Sequence, residues 1–162
     1  PAPAHAPRVT LPAARRALHS SAARSRARGG ERRAVTLQIA PESLTAVIPF
    51  LSVQPLVENA VRHGLEPREH GGTIVITARD EGTQTEITVE DDGVGMDPAV
   101  VRELLTSRDT THVGLRNVDT RVRQLYGDDH ALDIETAPGS GTLVRLRVPR
   151  SQPLHEAEVS VP

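Results

Sequence analysis

The sequence predicts an α+β fold of two layers, in which a mixed, mostly antiparallel sheet carries helices on one face. Strand-like runs arrive in adjacent pairs, at 72–78 with 85–91 and at 131–136 with 142–148, and a short glycine-containing turn joins each pair. Segments with helical spacing lie between these pairs. Because hairpins pair antiparallel and the helices between them need a sheet face to cover, two layers are expected.

The folded domain is predicted to span residues 34–150, between a leader at 1–33 and a tail at 151–162. At its start, apolar and polar residues alternate over 35–39 as in a half-buried strand, which Pro41 ends. The leader is rich in Ala, Arg, Pro and Ser and holds few large apolar side chains. Such a composition does not offset the entropy of ordering, so the leader is predicted to be disordered or a partial linker.

Three helices are predicted from apolar spacing and from the signals at their ends. The first spans 50–63, with Pro55 in its first turn and Gly64 just past its C-terminus. The second begins at Asp97-Pro98, where Asp is the cap and Pro takes the first helical position. The third spans 114–126.

Composition excludes several classes of function. The chain has one Phe, one Tyr and no Trp, so stacking of single-stranded nucleic acid on aromatic side chains is not expected. It has no cysteine, which excludes disulfides, thiol catalysis and cysteine-ligated metals. All nineteen basic residues are arginine, so the lysine of a Walker-type phosphate loop is missing. No apolar run reaches the roughly 20 residues of a membrane-spanning helix.

Charge is divided unevenly along the chain. Eight of the arginines lie in residues 1–33 together with a single acidic residue, so the remainder is acidic although the formal net charge is -2. A basic arm can bind nucleic acid or an anionic membrane surface. A disordered leader is the favoured interpretation, and no nucleic-acid partner is expected.

Three stretches hold residues that neither helix nor strand formation requires. The first is 54–64, QPLVENAVRHG, where helical geometry places Asn59, Arg62 and His63 on neighbouring positions of one face. An amide oxygen can ligate Mg²⁺, and a guanidinium can form a forked contact with phosphate. An amphipathic helix with a solvated polar stripe explains the same pattern equally well.

The second stretch is 91–96, DDGVGM, directly after a predicted strand. Asp91 at the strand end can accept a hydrogen bond from an exocyclic amine, and Gly93 and Gly95 let the backbone come close to a ligand. A dinucleotide fingerprint is excluded because Pro98 stands where a third glycine is needed, and a calcium loop is excluded by the acid spacing. A plain turn remains an alternative.

The third stretch is 139–142, GSGT, before the last strand, together with Gly114-Leu115 at the start of the third helix. An exposed helix start offers unpaired amide donors and the positive end of the helix dipole, which suit a triphosphate. Each of these features is a weak signal when it is taken alone.

In this order the three stretches resemble the Bergerat-fold ATPases, the family that includes histidine kinases, gyrase, Hsp90 and MutL. The resemblance covers residues 34–149, and the wording of 54–64 is similar to that of LytS-type sensor histidine kinases. It implies a Bergerat ATP-binding fold that serves as the catalytic domain of a two-component sensor histidine kinase, with ATP and Mg²⁺ as cofactors.

The resemblance also implies roles for individual residues. Asn59 would bind Mg²⁺ through ATP, Arg62 and His63 would face the phosphates, and Asp91 would hold the adenine amine. The other residues implied to bind ATP are Gly93 and Gly95 beside the base, Met96 near the ring, Gly114 and Leu115 in the second glycine box, and Thr142 on the adenine side. Residues 106–113 would form a mobile lid over the triphosphate.

Two departures from the family pattern stand out. His112 occupies the position where the second glycine box usually begins with glycine, and the Pro-His-Phe setting of a phospho-accepting histidine does not occur. The resemblance therefore implies a histidine on a dimerisation domain outside this chain, in a homodimeric full-length kinase, with a response regulator as a further partner. This piece would be cytoplasmic and the full-length protein membrane-anchored.

Phosphoryl transfer to histidine is favoured over ATP hydrolysis. In the hydrolysing relatives a glutamate one helical turn before the magnesium asparagine activates water, and Pro55 stands at that position here. Two alternatives are kept. One is a nucleotide-binding or partner-binding remnant without transfer activity, and the other is an anti-sigma-type serine kinase of the same fold, which the LytS-like wording disfavours.

Overall fold

The computed structural model describes residues 8–10, 33–39, 47–49, 53–106 and 113–149. Its strands are β1 Arg8–Thr10, β2 Arg33–Ile39, β3 Val47–Pro49, β4 Gly72–Asp80, β5 Gln84–Asp91, β6 Asp133–Thr136 and β7 Thr142–Pro149. Its helices are α1 Val53–Asn59, continued by a π-helix over Ala60–Leu65, then α2 Pro98–Thr106, α3 Val113–Tyr126 and a 3₁₀ turn Asp128–His130. Of these described helices, none is long and apolar enough to cross a membrane.

A five-stranded sheet forms the framework, in the order β2-β4-β5-β7-β6. β2 runs parallel to β4, and the remaining neighbours pair antiparallel. β1 and β3 form a separate antiparallel pair, so a short strand lies within the stretch predicted as a leader. The mixed, mostly antiparallel sheet predicted from the sequence is confirmed.

The helices cover one face of this sheet. Alternate residues of β4, β5 and β7 are buried, as expected for a sheet with one covered face. Their side chains form one core with those of the helices. The largest fully buried side chains of this core include Leu56, Leu65, Ile74, Ile87, Leu115 and Leu146. The opposite face carries polar pairs, such as the hydroxyls of Thr77 and Thr88 at 2.6 Å.

Local signals place the start of α2 and the β4–β5 turn as predicted. Asp97 Oδ1 accepts the amide of Ala99 at 2.7 Å, and Pro98 is the first residue of α2. In the hairpin, Asp80 Oδ1 accepts the amide of Gly82 at 2.7 Å, and Gly82 has a φ of 86°.

The first helix differs from its prediction at its C-terminal end. The sequence predicts a helix that stops before Gly64, whereas the chain continues through Gly64 to Leu65 as a π-helix. The amide of Glu66 donates to the carbonyl of Val61, five residues earlier, at 2.9 Å. Gly64 does not have a positive φ, so it is not a left-handed cap. Such π-helical turns are rare in proteins, and those that occur are often found at functional sites.

Candidate functional site

The buried carboxylate of Asp91, at the end of β5, is the centre of the candidate site. Asp91 is 4% exposed, and its register partners are Ile74 on β4 and Thr142 on β7. Its Oδ1 accepts the amide of Gly93 at 2.9 Å. Because strand side chains alternate, Asp91 shares the face of the buried Val89, and its carboxylate points into the helix layer.

Burial controls the charge of this group. It raises the pKa of Asp91 from its ordinary 3.8 to about 6, and the neighbouring Asp92 and Glu90 act in the same direction. The amides of Gly93 and Thr142 donate to the carboxylate and lower the pKa, which opposes the effect of burial. Asp91 is therefore ionised at neutral pH, and a buried ionised carboxylate is a strong hydrogen-bond acceptor.

Gly64 lets the first helix reach this carboxylate. A methyl group at position 64 would lie 2.5 Å from Asp91 Oδ1, so no side chain fits. Gly93 packs on Gly64 in turn, since a Cβ at 93 would meet the Gly64 carbonyl oxygen at 2.3 Å, and the Val94 amide donates to that carbonyl at 3.0 Å. Gly64, which is predicted to end the helix, is thus the residue through which the helix contacts the end of β5. Sequence reasoning misses it because glycine after a helix is the usual stop signal.

The stretch before β7 closes the other side of Asp91. Gly141 has a φ of 73°, and a Cβ there would lie 1.9 Å from the Asp91 carbonyl oxygen. Gly95 has a φ of 63°, and a Cβ there would lie 2.0 Å from the Ala137 carbonyl oxygen. The second and third of the predicted stretches therefore contact each other directly.

A threonine hydroxyl joins these two stretches. Thr136 Oγ1 accepts the amide of Met96 at 3.0 Å and donates to the Gly141 carbonyl at 2.8 Å. It also lies 3.0 Å from the hydroxyl of Thr142. Met96 and Thr142, both predicted site residues, are brought together around Thr136, which sequence reasoning misses. The one signal for Thr136 is its register opposite Thr142, which only the paired strands reveal.

Asp92 and Arg68 fix the chain beside Asp91. Asp92 Oδ1 accepts the amide of Thr73 at 2.8 Å and the Arg68 guanidinium at 3.1 Å, and Arg68 also donates to the Asp92 carbonyl. The two side chains are 38% and 57% exposed, so the ion pair itself contributes little stability. Its effect is geometric, because it ties the loop before β4 to the end of β5. Nothing in the polar sequence around Arg68 distinguishes it from a solvated loop residue.

Asn59 lies on the helix that reaches Asp91, five residues before Gly64. In an α-helix, which turns by about 100° per residue, residues five apart point to different sides. A π-helix has hydrogen bonds between residues five apart, so its wider turn places such residues closer to the same side of the helix. Asn59 is 9% exposed, and its amide has no hydrogen-bond partner among the described residues. Arg62 is exposed and His63 is half-buried on the same segment.

A pocket opens between the first turn of α1 and the start of α3. It has a volume of about 180 Å³ and is lined by Pro55, Gly114, Asn117, Val118 and Arg121. Gly114, predicted in the second glycine box, therefore borders this pocket on the helix that follows the predicted lid.

Leu115 and the predicted lid are placed differently. Leu115 is 1% exposed and belongs to the hydrophobic core, where it anchors the start of α3 on the sheet. Its part in binding a ligand stays a prediction. Residues 107–112 of the lid, including His112, lie outside the described residues.

Comparison with known proteins identifies the family. Residues 49–152, more than half of the 162-residue chain, match the family described as histidine kinase-, DNA gyrase B-, and HSP90-like ATPase. The chain therefore belongs to this ATPase family, as the order of its three motifs implies.

Within the family, the chain is similar to part of several sensor histidine kinases and to the catalytic domain of one histidine kinase. It is 38% identical to the sensor histidine kinase YpdA of Escherichia coli (strain K12) over 103 residues, which are 63% of this chain and 18% of YpdA. It is 31% identical to the sensor protein LytS of Streptococcus mutans over 111 residues, which are 66% of this chain and 19% of LytS. Its fold matches the catalytic domain of histidine kinase ThkA with a TM-score of 0.65 and 16% identity, over 89% of this chain and 95% of that one.

The family match and the relatives identify the chain as an ATP-binding catalytic domain of the histidine kinase type, and the likeness to ThkA shows that the fold is the same. The chain spans about a fifth of the length of YpdA and LytS, which are 18% and 19% covered.

Gly93→Ala is expected to lower the free energy of unfolding by about 1–3 kcal/mol, because the added methyl group meets the Gly64 backbone rather than a side chain that can move aside. Urea unfolding measures the loss. Gly114→Ala is the matched control, since a methyl group there lies 3.6 Å from the Pro55 carbonyl oxygen, an ordinary contact. Equal stability of the two variants would contradict the close packing of the helix on the strand end.

Asp91→Asn is expected to stabilise the nucleotide-free protein at neutral pH. With a folded-state pKa of about 6 against an ordinary 3.8, ionisation of Asp91 lowers the stability of the folded protein as the pH rises from about 4 to about 6. Asparagine removes this charge and keeps an oxygen for the Gly93 amide. At about 1.4 kcal/mol per pK unit, the gain is up to about 3 kcal/mol above pH 7 and shrinks below pH 6. Urea unfolding between pH 5 and 8 measures it, and a gain independent of pH would exclude charge as the cause.

Proposed function

We propose that this chain binds Mg-ATP and donates its γ-phosphoryl group to a histidine on a dimerisation domain of a two-component sensor histidine kinase. The observation that carries the proposal is the buried carboxylate of Asp91, which pairs with no cation among the described residues. A buried carboxylate without a cationic partner is costly unless donors satisfy it. Two amides already donate to Asp91, and the exocyclic amine of adenine is a donor of the kind that the remaining acceptor capacity suits.

Asn59 fits the metal end of the same nucleotide. Its amide is buried without a partner among the described residues, and an amide oxygen is the hard ligand that Mg²⁺ accepts. Mg²⁺ usually keeps several waters and takes one or two protein ligands together with substrate phosphates, so a single side chain suffices. When bound, the ion would neutralise charge on the phosphate oxygens. Arg62 and His63, on the next turn, are proposed to face the phosphates.

The remaining contacts follow the order of the motifs along the nucleotide. The proposed neighbours of the base are Gly93, Gly95, Met96 and Thr142, which surround Asp91 through the contacts with Gly64, Gly141 and Thr136. The amides at the start of α3, around Gly114, are proposed to bind the phosphates. Leu115 is proposed to hold that helix start in place from within the core.

The phosphate end of the site favours transfer over hydrolysis. None of the described residues that line the pocket between α1 and α3 is a carboxylate, and Pro55 stands one turn before Asn59. Hydrolysis needs a general base within hydrogen-bond reach of water. Transfer to an incoming histidine needs positioning and charge stabilisation instead. The histidine, the dimer interface and the response regulator are proposed to belong to the full-length kinase, which would hold this domain at the cytoplasmic side of a membrane.

Asp91→Asn is expected to weaken ATP binding about 10- to 100-fold, the effect of losing a charge-assisted hydrogen bond of about 1.5–3 kcal/mol. Asn59→Ala is expected to weaken binding of Mg-ATP about tenfold and to leave binding of ATP in EDTA unchanged, because the amide acts through the metal. Calorimetric titration with and without Mg²⁺ measures both. Asp128→Asn removes the same charge at an 86% exposed position and serves as the control. Unchanged affinity in both site variants would remove the assignment.

Phosphoryl transfer is tested by incubating this chain and γ-labelled ATP with the purified histidine-bearing dimerisation domain of a related sensor kinase. The label is expected on histidine, as a phosphoramidate that is lost in acid and stable in alkali, and to be absent when the acceptor histidine is replaced by alanine. Label with the opposite stability would favour a serine kinase. ATP binding without any transfer would favour a nucleotide-binding remnant.

A further inference from the structure

The pocket between α1 and α3 has one charged residue, Arg121, among its described lining residues. Its α3 side is a single stripe, formed by Gly114, Asn117, Val118 and Arg121 at the spacing of successive helical turns, and Pro55 lies opposite. Arg121 is the charged residue of this described lining, and its side chain is exposed. At about 180 Å³ the pocket has room for a phosphoryl group and several waters, each of which takes about 30 Å³.

The first helix runs from this pocket to Asp91, so its length gives the distance between them. Gly64 contacts the Asp91 carboxylate, and Pro55 lies nine residues before Gly64. At about 1.5 Å per residue, that length of helix spans roughly 13–14 Å. Asn59 lies between the two ends. A nucleoside triphosphate with its base at Asp91 and its metal at Asn59 therefore directs its last phosphate towards Pro55 and the pocket.

Gly114 gives a separate indication that a ligand approaches this pocket. The glycines around Asp91 are each required by protein atoms that leave no room for a Cβ. A methyl group at position 114 would instead meet Pro55 at ordinary contact distances, the nearest at 3.6 Å. Glycine in a helix costs about 1 kcal/mol relative to alanine. Packing among the described residues gives no reason for this glycine, whereas the close approach of a ligand to the backbone does.

We propose that Arg121 binds the γ-phosphoryl group in this pocket, with Asn117 as a second donor, and that the domain thereby distinguishes ATP from ADP. The inference rests on the proposed function, because it takes the nucleotide to be held through Asp91 and Asn59. A long helical side chain points back towards the N-terminus of its helix, which directs the guanidinium of Arg121 towards Gly114. The planar fork of arginine matches the oxygens of a phosphoryl group.

Arg123 provides a matched comparison on the same helix. Its Nε donates to Asp119 at 2.8 Å and its Nη1 donates to Asp128 at 3.2 Å. It is not among the residues that line the pocket. Arg123 therefore has the same charge at nearly the same distance along α3, outside the pocket lining.

The test compares binding of ATP and ADP to the whole chain in the presence of Mg²⁺. Arg121→Gln is expected to weaken binding of a non-hydrolysable ATP analogue about tenfold, as for a lost charge-assisted hydrogen bond at an exposed position, and to leave ADP binding within about twofold. Arg121→Lys keeps the charge and loses the planar fork, so its affinity for the ATP analogue is expected to lie between that of the wild-type chain and that of Arg121→Gln. Calorimetric titration supplies both affinities.

The controls separate this inference from the proposed function. Arg123→Gln is expected to leave the ratio of ATP-analogue to ADP affinity unchanged, even where it lowers thermal stability. Equal weakening of both ligands by Arg121→Gln, or no weakening of either, would overturn the role of Arg121 and leave the site at Asp91 and Asn59 standing. A wild-type chain that binds neither nucleotide would overturn both.

Discussion

The carboxylate of Asp91 is buried and ionised at the same time, and the structure around it follows from that constraint. Two backbone amides donate to it. The chain approaches the carboxylate at Gly64 and the main-chain carbonyl of the same residue at Gly141, where the absence of side chains allows contact. The donors and walls are backbone, which has no rotamers to rearrange. The carboxylate is therefore held in a fixed direction before any ligand arrives, which lowers the entropic cost of binding.

This arrangement joins pieces of chain that are far apart in the sequence. The first helix ends against the end of β5, and the turn before β7 closes the other side through Gly95 and Gly141. Arg68 and Thr136 tie these pieces together from outside the three motifs. The end of the site around Asp91 is thus rigid, whereas the other end opens as a pocket beside the start of α3. In the proposed function, the rigid end holds the nucleotide and the open end admits the acceptor.

The sequence predicts those features whose cause is local. The cap at Asp97 and the hairpin turn at Gly82 are set by a few adjacent residues, and strand alternation predicts which face of the sheet is covered. Features that depend on distant partners are missed. Gly64 has the appearance of a helix end because its partner, Asp91, lies 27 residues further on, and Thr136 has meaning only opposite Thr142.

Order of motifs predicts the site better than any single motif does. Residues 91–96 alone are explained by a plain turn, and 54–64 alone by a solvated helix face. In the structure these two stretches contact each other, since Gly93 packs on Gly64. A turn and a helix face that were unrelated would not explain this contact. The roles of Asn59, Arg62 and His63 towards a nucleotide stay predictions. The backbone contacts fix the positions of these residues, but they do not determine what the side chains bind.

The π-helical turn over Ala60–Leu65 has a consequence for how this segment can vary. Removing one residue from it would rotate everything before the cut relative to everything after it by the turn of one residue, which is about 100° in an α-helix and smaller in a π-helix. Asn59 would swing away while Gly64 stayed on the strand end. Exchanging one side chain for another leaves that angular phase intact. Deletions and insertions in this segment should therefore be tolerated far less than substitutions, so its length is a stricter requirement than its composition.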